Sequence, residues 1–155
     1  MKADAADQVR RARESDCQAI VDLIVELRHE EMSVTADREP VAGAVRASLD
    51  SSEAAVFVAE SGAEIAGFVV VHWIPFPMLG GTEAYISDLI VRRNQRGRGV
   101  GRRLVAIVED EACQRGCVRA MLNNRIAAES FRRAFYLKLG FRVRDDFANL
   151  VKALR

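Results

Sequence analysis

The chain reads as an α+β domain of three layers: a central mixed, mostly antiparallel sheet of six to seven strands with about four helices around it. Three observations predict this class. Residues 54–60 and 64–73 are β-rich runs on either side of Ser61-Gly62-Ala63, the pattern of an antiparallel hairpin. The apolar run Ile86-Ser87-Asp88-Leu89-Ile90-Val91 enters a glycine-rich basic loop, after which Leu104, Val105, Ile107, Val108 and Ala112 recur at helical spacing. A strand, a helix and two further strands then close the chain.

In order, residues 1–8 read as a frayed extension, and Val9-Arg10-Arg11-Ala12-Arg13 as a first strand. Ser15 or Asp16 can cap the first helix, whose Ile20, Leu23, Ile24 and Leu27 form one apolar stripe. A second helix covers about residues 39–49, with Pro40 in the first turn, where proline is tolerated. After the hairpin, Pro75, Pro77, Gly80 and Gly81 break the chain into a loop. A strand at 84–91, the glycine loop and a helix at about 101–115 follow, with Gly116 as a C-terminal cap. Residues 118–123 form a fifth strand and residues 128–139 a helix with Phe131, Ala134, Phe135 and Leu139 on one face. Residues 141–144 and 147–152 make the closing pair of strands. There are no repeats and no linker, so residues 1–155 read as one domain.

The bulk composition narrows the function classes. Half of the 155 residues are apolar and 29% are charged, as in an ordinary globular protein with a substantial core. No apolar run approaches the roughly 20 residues that span a bilayer, and the acidic start has no secretory pattern; the expectation is a cytoplasmic protein without a membrane partner. Cys17, Cys113 and Cys117 are an odd set, and His29 and His72 are the only histidines. Neither a disulfide framework nor a metal site is expected. Charge is uneven: residues 1–80 carry a net −7 and residues 81–155 a net +8. The excess peaks at Arg92, Arg93, Arg96, Arg98, Arg102 and Arg103, a field that suits a phosphorylated ligand. Nucleic acid would feel the same field, but no aromatics are interleaved for base stacking, and none is expected as a partner.

The loop Gln95-Arg96-Gly97-Arg98-Gly99-Val100-Gly101-Arg102-Arg103 is the centre of the functional reading. Alternate glycines let its backbone turn tightly and bring N–H groups close to a ligand. The helix that starts there has unpaired N–H groups and the positive end of its macrodipole, which is where anions bind. A triphosphate loop would end Gly-Lys-Ser/Thr, and this one ends Gly101-Arg102-Arg103. A dinucleotide fingerprint needs a third glycine where Arg102 stands.

Arg96-x-x-Gly99-x-Gly101, opening a helix after an apolar strand, resembles the pyrophosphate loop of the GCN5-related N-acetyltransferases, the GNAT superfamily. Arg11-Ala12-Arg13-x-x-Asp16-x-x-Ala19-Ile20 is similar to that family's opening, and Phe135-Tyr136-Leu137-Lys138-Leu139-Gly140-Phe141 to its closing motif. The resemblance covers nearly the whole chain. It implies the GNAT fold with its sheet splayed in the middle, acetyl-CoA as co-substrate, no metal, and transfer of acetyl to a primary amine of a small molecule or peptide by direct attack. A homodimer is implied on the same ground. The competing class is a non-catalytic acyl-CoA-binding domain, which would keep the loop and have no need of Tyr136.

Acetyl transfer needs a proton acceptor for the amine, donors for the oxyanion and a proton for the thiolate. The resemblance assigns the last role to Tyr136 as general acid at the coenzyme sulfur; as an amphipathic tyrosine it would equally suit a core position with a backbone partner. It also implies a bulge near Leu89, Ile90 and Val91 that frees N–H groups for the thioester and pantetheine, with Arg96, Gly97, Arg98, Gly99, Val100, Gly101 and Arg102 on the phosphates. Asn124 is a candidate for the pantetheine, since relatives carry an asparagine where this chain has Glu129. Arg132 and Arg133 could reach the phosphates or lie on a solvated face. Asp88 is the only acid in the apolar strand; it could be the base, its pKa raised by burial, or a structural carboxylate. For the acceptor, Glu30 at the end of the first helix and His72 and Trp73 at the end of the hairpin suggest an acidic rim beside an aromatic wall.

Overall fold

The computed structural model describes residues 8–154; residues 1–7, and with them most of the expected frayed extension, lie outside the described residues. The chain divides into two compact units, the first ending at Asn123 and the second beginning at Asn124.

The first unit contains β1 (Val9–Arg11), α1 (Cys17–Met32), α2 (Arg38–Asp50), β2 (Ala54–Ser61), β3 (Glu64–Phe76), β4 (Gly81–Val91), α3 (Val100–Gln114) and β5 (Arg119–Leu122). One sheet runs in the order β1-β2-β3-β4-β5. The first four strands pair antiparallel and β4 pairs parallel with β5. The expected hairpin is β2–β3, turned by Gly62 at φ 63°. Its second strand continues through Pro75 to Phe76, paired with Gly81, so the expected loop shrinks to a 3-10 turn at Pro77–Leu79.

Strand alternation divides the core between two faces. Ile20, Val21 and Leu23 of α1 and Val45 of α2 pack on Val56, Val58, Phe68 and Val70. Helix α3 lies across β2, β3 and β4 and buries Val100, Leu104, Val105, Val108 and Ala112, facing the odd-numbered Val69, Val71 and Trp73 of β3. Full burial of such side chains contributes roughly 1.5–3 kcal/mol each.

The pairing of β3 with β4 slips by one residue. Val70 lies opposite Asp88 and Val71 opposite Ile86, so Ser87 has no partner. This is a β-bulge, and it reverses the alternation of β4. Ile90 therefore enters the core beneath α1 and α2, while Ile86, paired with Val71, belongs to the α3 face. In an unbroken strand the two isoleucines, four apart, would share a face.

The second unit holds two short helices, α4 (Glu129–Arg132) and α5 (Phe135–Lys138). The single helix expected over residues 128–139 is corrected: Ala134 adopts φ 53°, ψ 37° and divides it. A left-handed alanine costs about 1–2 kcal/mol, so no helix propensity announces it. The closing strands expected at 141–144 and 147–152 are also absent, which leaves five strands where six to seven were expected. A strand is defined by its ladder, and this segment has none; Leu150, Val151 and Leu154 stay about nine-tenths exposed.

Helix α1 is anchored by a buried carboxylate. Asp16, 7% exposed, receives both terminal nitrogens of Arg10, at 2.7 and 3.0 Å, and the Arg13 N–H at 2.7 Å. The expected cap therefore acts one turn early: its side chain holds Arg13, through a 3-10 turn at Glu14–Asp16. The hydrogen bond from Arg10 holds the Asp16 carboxyl below the usual carboxylate range, against the opposing effect of burial. A depressed folded value gives stability that is present at neutral pH and lost as pH falls through it. Arg10→Met, which leaves the carboxylate buried without its cation, is expected to cost about 3–5 kcal/mol at pH 7. Urea unfolding should show the gap from wild type narrowing below about pH 4 as the carboxyl protonates.

Candidate active site

The glycine loop is built as the end of β4 and the start of α3. After β4 the chain makes a 3-10 turn at Arg93–Gln95, and then Gly97 and Gly99 take φ 77° and 80°. Gly99 is the N-cap of α3, and its carbonyl accepts the first helical N–H, from Arg103, at 3.1 Å. Among the described residues, the six N–H groups from Gly97 to Arg102 donate to no backbone acceptor. A row of free amides at the positive end of a 15-residue helix is an anion site made from main chain.

The arginines of this loop have two roles. Arg96 is half-buried; its Nε donates to the Val91 carbonyl at 3.0 Å, a terminal nitrogen reaches Glu30 at 3.4 Å, and its N–H donates to Arg93 at 3.3 Å. Arg96 therefore shapes the loop. Arg98 and Arg102 are exposed and, among the described residues, form no side-chain hydrogen bond or ion pair, so their charge is available to a ligand. The acidic end of α1 faces these arginines: Glu26 lies 3.6 Å from Arg92 and Glu30 4.0 Å from Arg93. The expected acidic rim for an amine is corrected on this point. Glu30 is occupied by the basic loop, through its pairs with Arg93 and Arg96.

Strand β4 carries the next part of the site. Its pairing with β5 ends at Ile86–Leu122, while its pairing with β3 runs on to Val91. The Arg92 N–H donates to Ala66 of β3 at 2.8 Å. Antiparallel alternation then directs Ile90 and Asp88 toward β3, and the N–H groups of Leu89 and Val91 to the edge without a strand. Of the three candidate amides, two face that edge and Ile90's lies within the ladder.

The bulge assembles a polar network. His72 Nε2 lies 2.9 Å from Ser87 Oγ, and that hydroxyl donates to Asp88 Oδ2 at 2.8 Å. A serine has one proton to give, so Nε2 is the protonated nitrogen and donates to Ser87. Adjacent strand residues normally point to opposite faces; the bulge lets Ser87 and Asp88 both serve the face of His72. Asp88 is exposed, which corrects the expected burial. It stands at the edge of a cavity of about 200 Å³ between α1, α2 and the sheet. Trp73, next to His72, points the other way. It is 4% exposed and lies under the Arg115 guanidinium, 4.5 Å from the ring centroid, so the expected aromatic wall is corrected as well.

In the second unit, Tyr136 is half-buried between Phe135 and Phe141, with ring centroids at 4.8 and 5.8 Å. Burial pushes its hydroxyl up to about 12, so the phenol keeps its proton throughout the neutral range. Asn124 accepts a hydrogen bond from the Ser130 hydroxyl at 3.1 Å, and Arg133 pairs with Glu129 at 3.1 Å. Ser87 and the cavity are what the sequence did not single out. The signal was the pair of polar residues in an apolar run, a break in alternation that marks a bulge. Among the described residues no helix is long and apolar enough to cross a membrane, and no cluster of His, Cys, Asp or Glu could hold a metal ion.

A bulged strand runs into a helix start with free main-chain amides, within a mixed five-stranded α+β sheet. The sequence profile of the acetyltransferase (GNAT) family matches residues 10–141, and the chain belongs to that family. Solved structures agree on the fold. A possible acetyltransferase from Clostridium difficile 630 superposes with a TM-score of 0.82 at 17% identity, over 96% of this chain and 98% of that one. A transcriptional regulator from Bacillus halodurans C-125 gives 0.80 at 24%, over 96% and 99%. The ribosomal-protein-alanine N-acetyltransferase of Brucella melitensis biovar Abortus 2308 gives 0.74 at 18%, over 96% and 100%. No curated protein matches the sequence.

With two tyrosines in the chain, the titration of Tyr136 can be isolated by subtracting that of Tyr136→Phe from wild type in ultraviolet difference spectra. The remaining phenol should ionise near pH 12; a midpoint at about 10 would show that Tyr136 is not desolvated.

Proposed function

We propose that the protein is an acetyl-CoA-dependent N-acetyltransferase that moves acetyl to a primary amine of a small molecule or peptide in a ternary complex. The observation that carries this is the row of free N–H groups from Gly97 to Arg102, in a chain of the GNAT family. These amides, with Arg98 and Arg102, would hold the coenzyme phosphates. The amides of Leu89 and Val91 suit the pantetheine arm and the thioester oxygen, where fixed donors stabilise a developing oxyanion. The family match crosses Asn123, which supports reading the chain as one domain.

In this mechanism the substrate ammonium gives one proton to Asp88, which Ser87 and His72 hold in place. The freed lone pair attacks the thioester carbon, and the C–S bond breaks as the departing thiolate takes the proton of Tyr136; the acylated nitrogen then loses its second proton to solvent, and solvent returns one to the Tyr136 phenolate. A phenol raised to about 12 is in the form needed for that donation. Positioned acid–base groups typically contribute about 10²–10⁴-fold. Tyr136→Phe should therefore lower kcat at least tenfold while acetyl-CoA still raises Tm, and Asp88→Asn should lower kcat/KM at least tenfold. Thiol release in a panel of amines checks both. Stabilisation by acetyl-CoA with no thiol release for any amine would favour the non-catalytic acyl-CoA-binding reading instead.

A further inference from the structure

We infer that the acceptor is a monoamine with a compact apolar body, an alkylamine or arylalkylamine, seated between α1, α2 and the sheet with its amino group at Asp88. This rests on the acetyl-transfer reading and names its substrate class. The seat is the cavity of about 200 Å³. Its walls are Ile20 and Ile24 of α1, Val41 and Val45 of α2, and Phe68 and Val70 of β3, together with Val56 and small residues of α2. Two polar side chains reach it. Ser48 already gives its hydroxyl proton to the Ala44 carbonyl at 3.0 Å. Asp88 accepts one hydrogen bond, from Ser87 at Oδ2, and its Oδ1 receives none among the described residues. The lining is thus mostly apolar, with Asp88 as its single anionic side chain.

Size and charge then select the ligand. Native interiors hold few voids larger than a water molecule, and an apolar cavity of about 150 Å³ stays dry and takes up benzene. A space of about 200 Å³ therefore accommodates about six to nine carbon atoms. One ammonium pairs with Asp88. A second charge on the seated part of the ligand would lie unpaired among apolar side chains, which disfavours polyamines and polycationic sugars. The bulge at Ser87 is what brings the carboxylate to this face, beside Val70 and Ile90.

The test is a series from n-propylamine to n-octylamine, with phenethylamine and spermidine, read as ligand-induced Tm without coenzyme and as KM in thiol release with acetyl-CoA. Affinity should rise about fourfold per methylene until the cavity is full, with spermidine weaker than hexylamine. Ala44→Phe, at an exposed position on the cavity lining, should weaken hexylamine at least tenfold and propylamine little. Val41→Ala should shift the optimum to a longer amine. Affinity that is flat with chain length in wild type, or spermidine bound more tightly than hexylamine, overturns the inference whatever the variants do. Chain-length-dependent binding with no thiol release supports the seat and overturns the acetyl-transfer reading alone.

Discussion

The extra residue in β4 is the constraint on which the site depends. Ser87 has no partner on β3, and that one-residue slip reverses the side-chain alternation of everything after it. Ile90 packs under α1 and α2, Asp88 comes to the face of His72, and the amides of Leu89 and Val91 turn to the edge that β5 leaves free. Without the slip, Asp88 would enter the α3 face, where an unpaired carboxylate among Val71, Leu104 and Val108 would have to be neutralised or expelled. The bulge therefore satisfies packing and places the chemistry at once.

The strands around the bulge tolerate little change. A Cβ on Gly67 would stand 2.7 Å from the Ile90 carbonyl and 3.2 Å from Val91 Cα, so β3 can approach this part of β4 only as glycine. Arg96 then holds the last carbonyl of β4, and the loop passes through left-handed turns at Gly97 and Gly99 into α3. The anion site that results is backbone, oriented by the same strand that carries Asp88. In the proposed mechanism, binding and proton transfer would share one scaffold, since β4, paired along its length with β3, carries both the carboxylate and the start of the loop.

The parts legible in the residues were those governed by near neighbours. Alternation and Gly62 announced the β2–β3 hairpin, and the apolar spacing from Leu104 to Ala112 announced α3. The glycines of the loop announced its left-handed turns, because few other residues adopt them. Asp88 was singled out as the one acid in an apolar run, though for a burial it does not have. Trp73 and Glu30 were misplaced for a common reason: each was judged by type and proximity in sequence. The face of Trp73 follows from the parity of β3, and the partner of Glu30 comes from a loop 66 positions away. Ala134 was illegible altogether, since alanine favours the helix it interrupts.

The sequence by itself determined the order of elements as far as β5, the glycine loop and the family, because each rests on periodicity or on a conformation that only glycine readily adopts. The tertiary structure alone decided what the site contains. Which side of the sheet Asp88 and Trp73 occupy depends on the register between two strands. The apolar cavity exists only where α1 and α2 cover that face, and strands exist only where a ladder forms, so residues 141–152 with a strand-like pattern remain unpaired. Local preference sets the pieces; the register between β3 and β4 sets the chemistry.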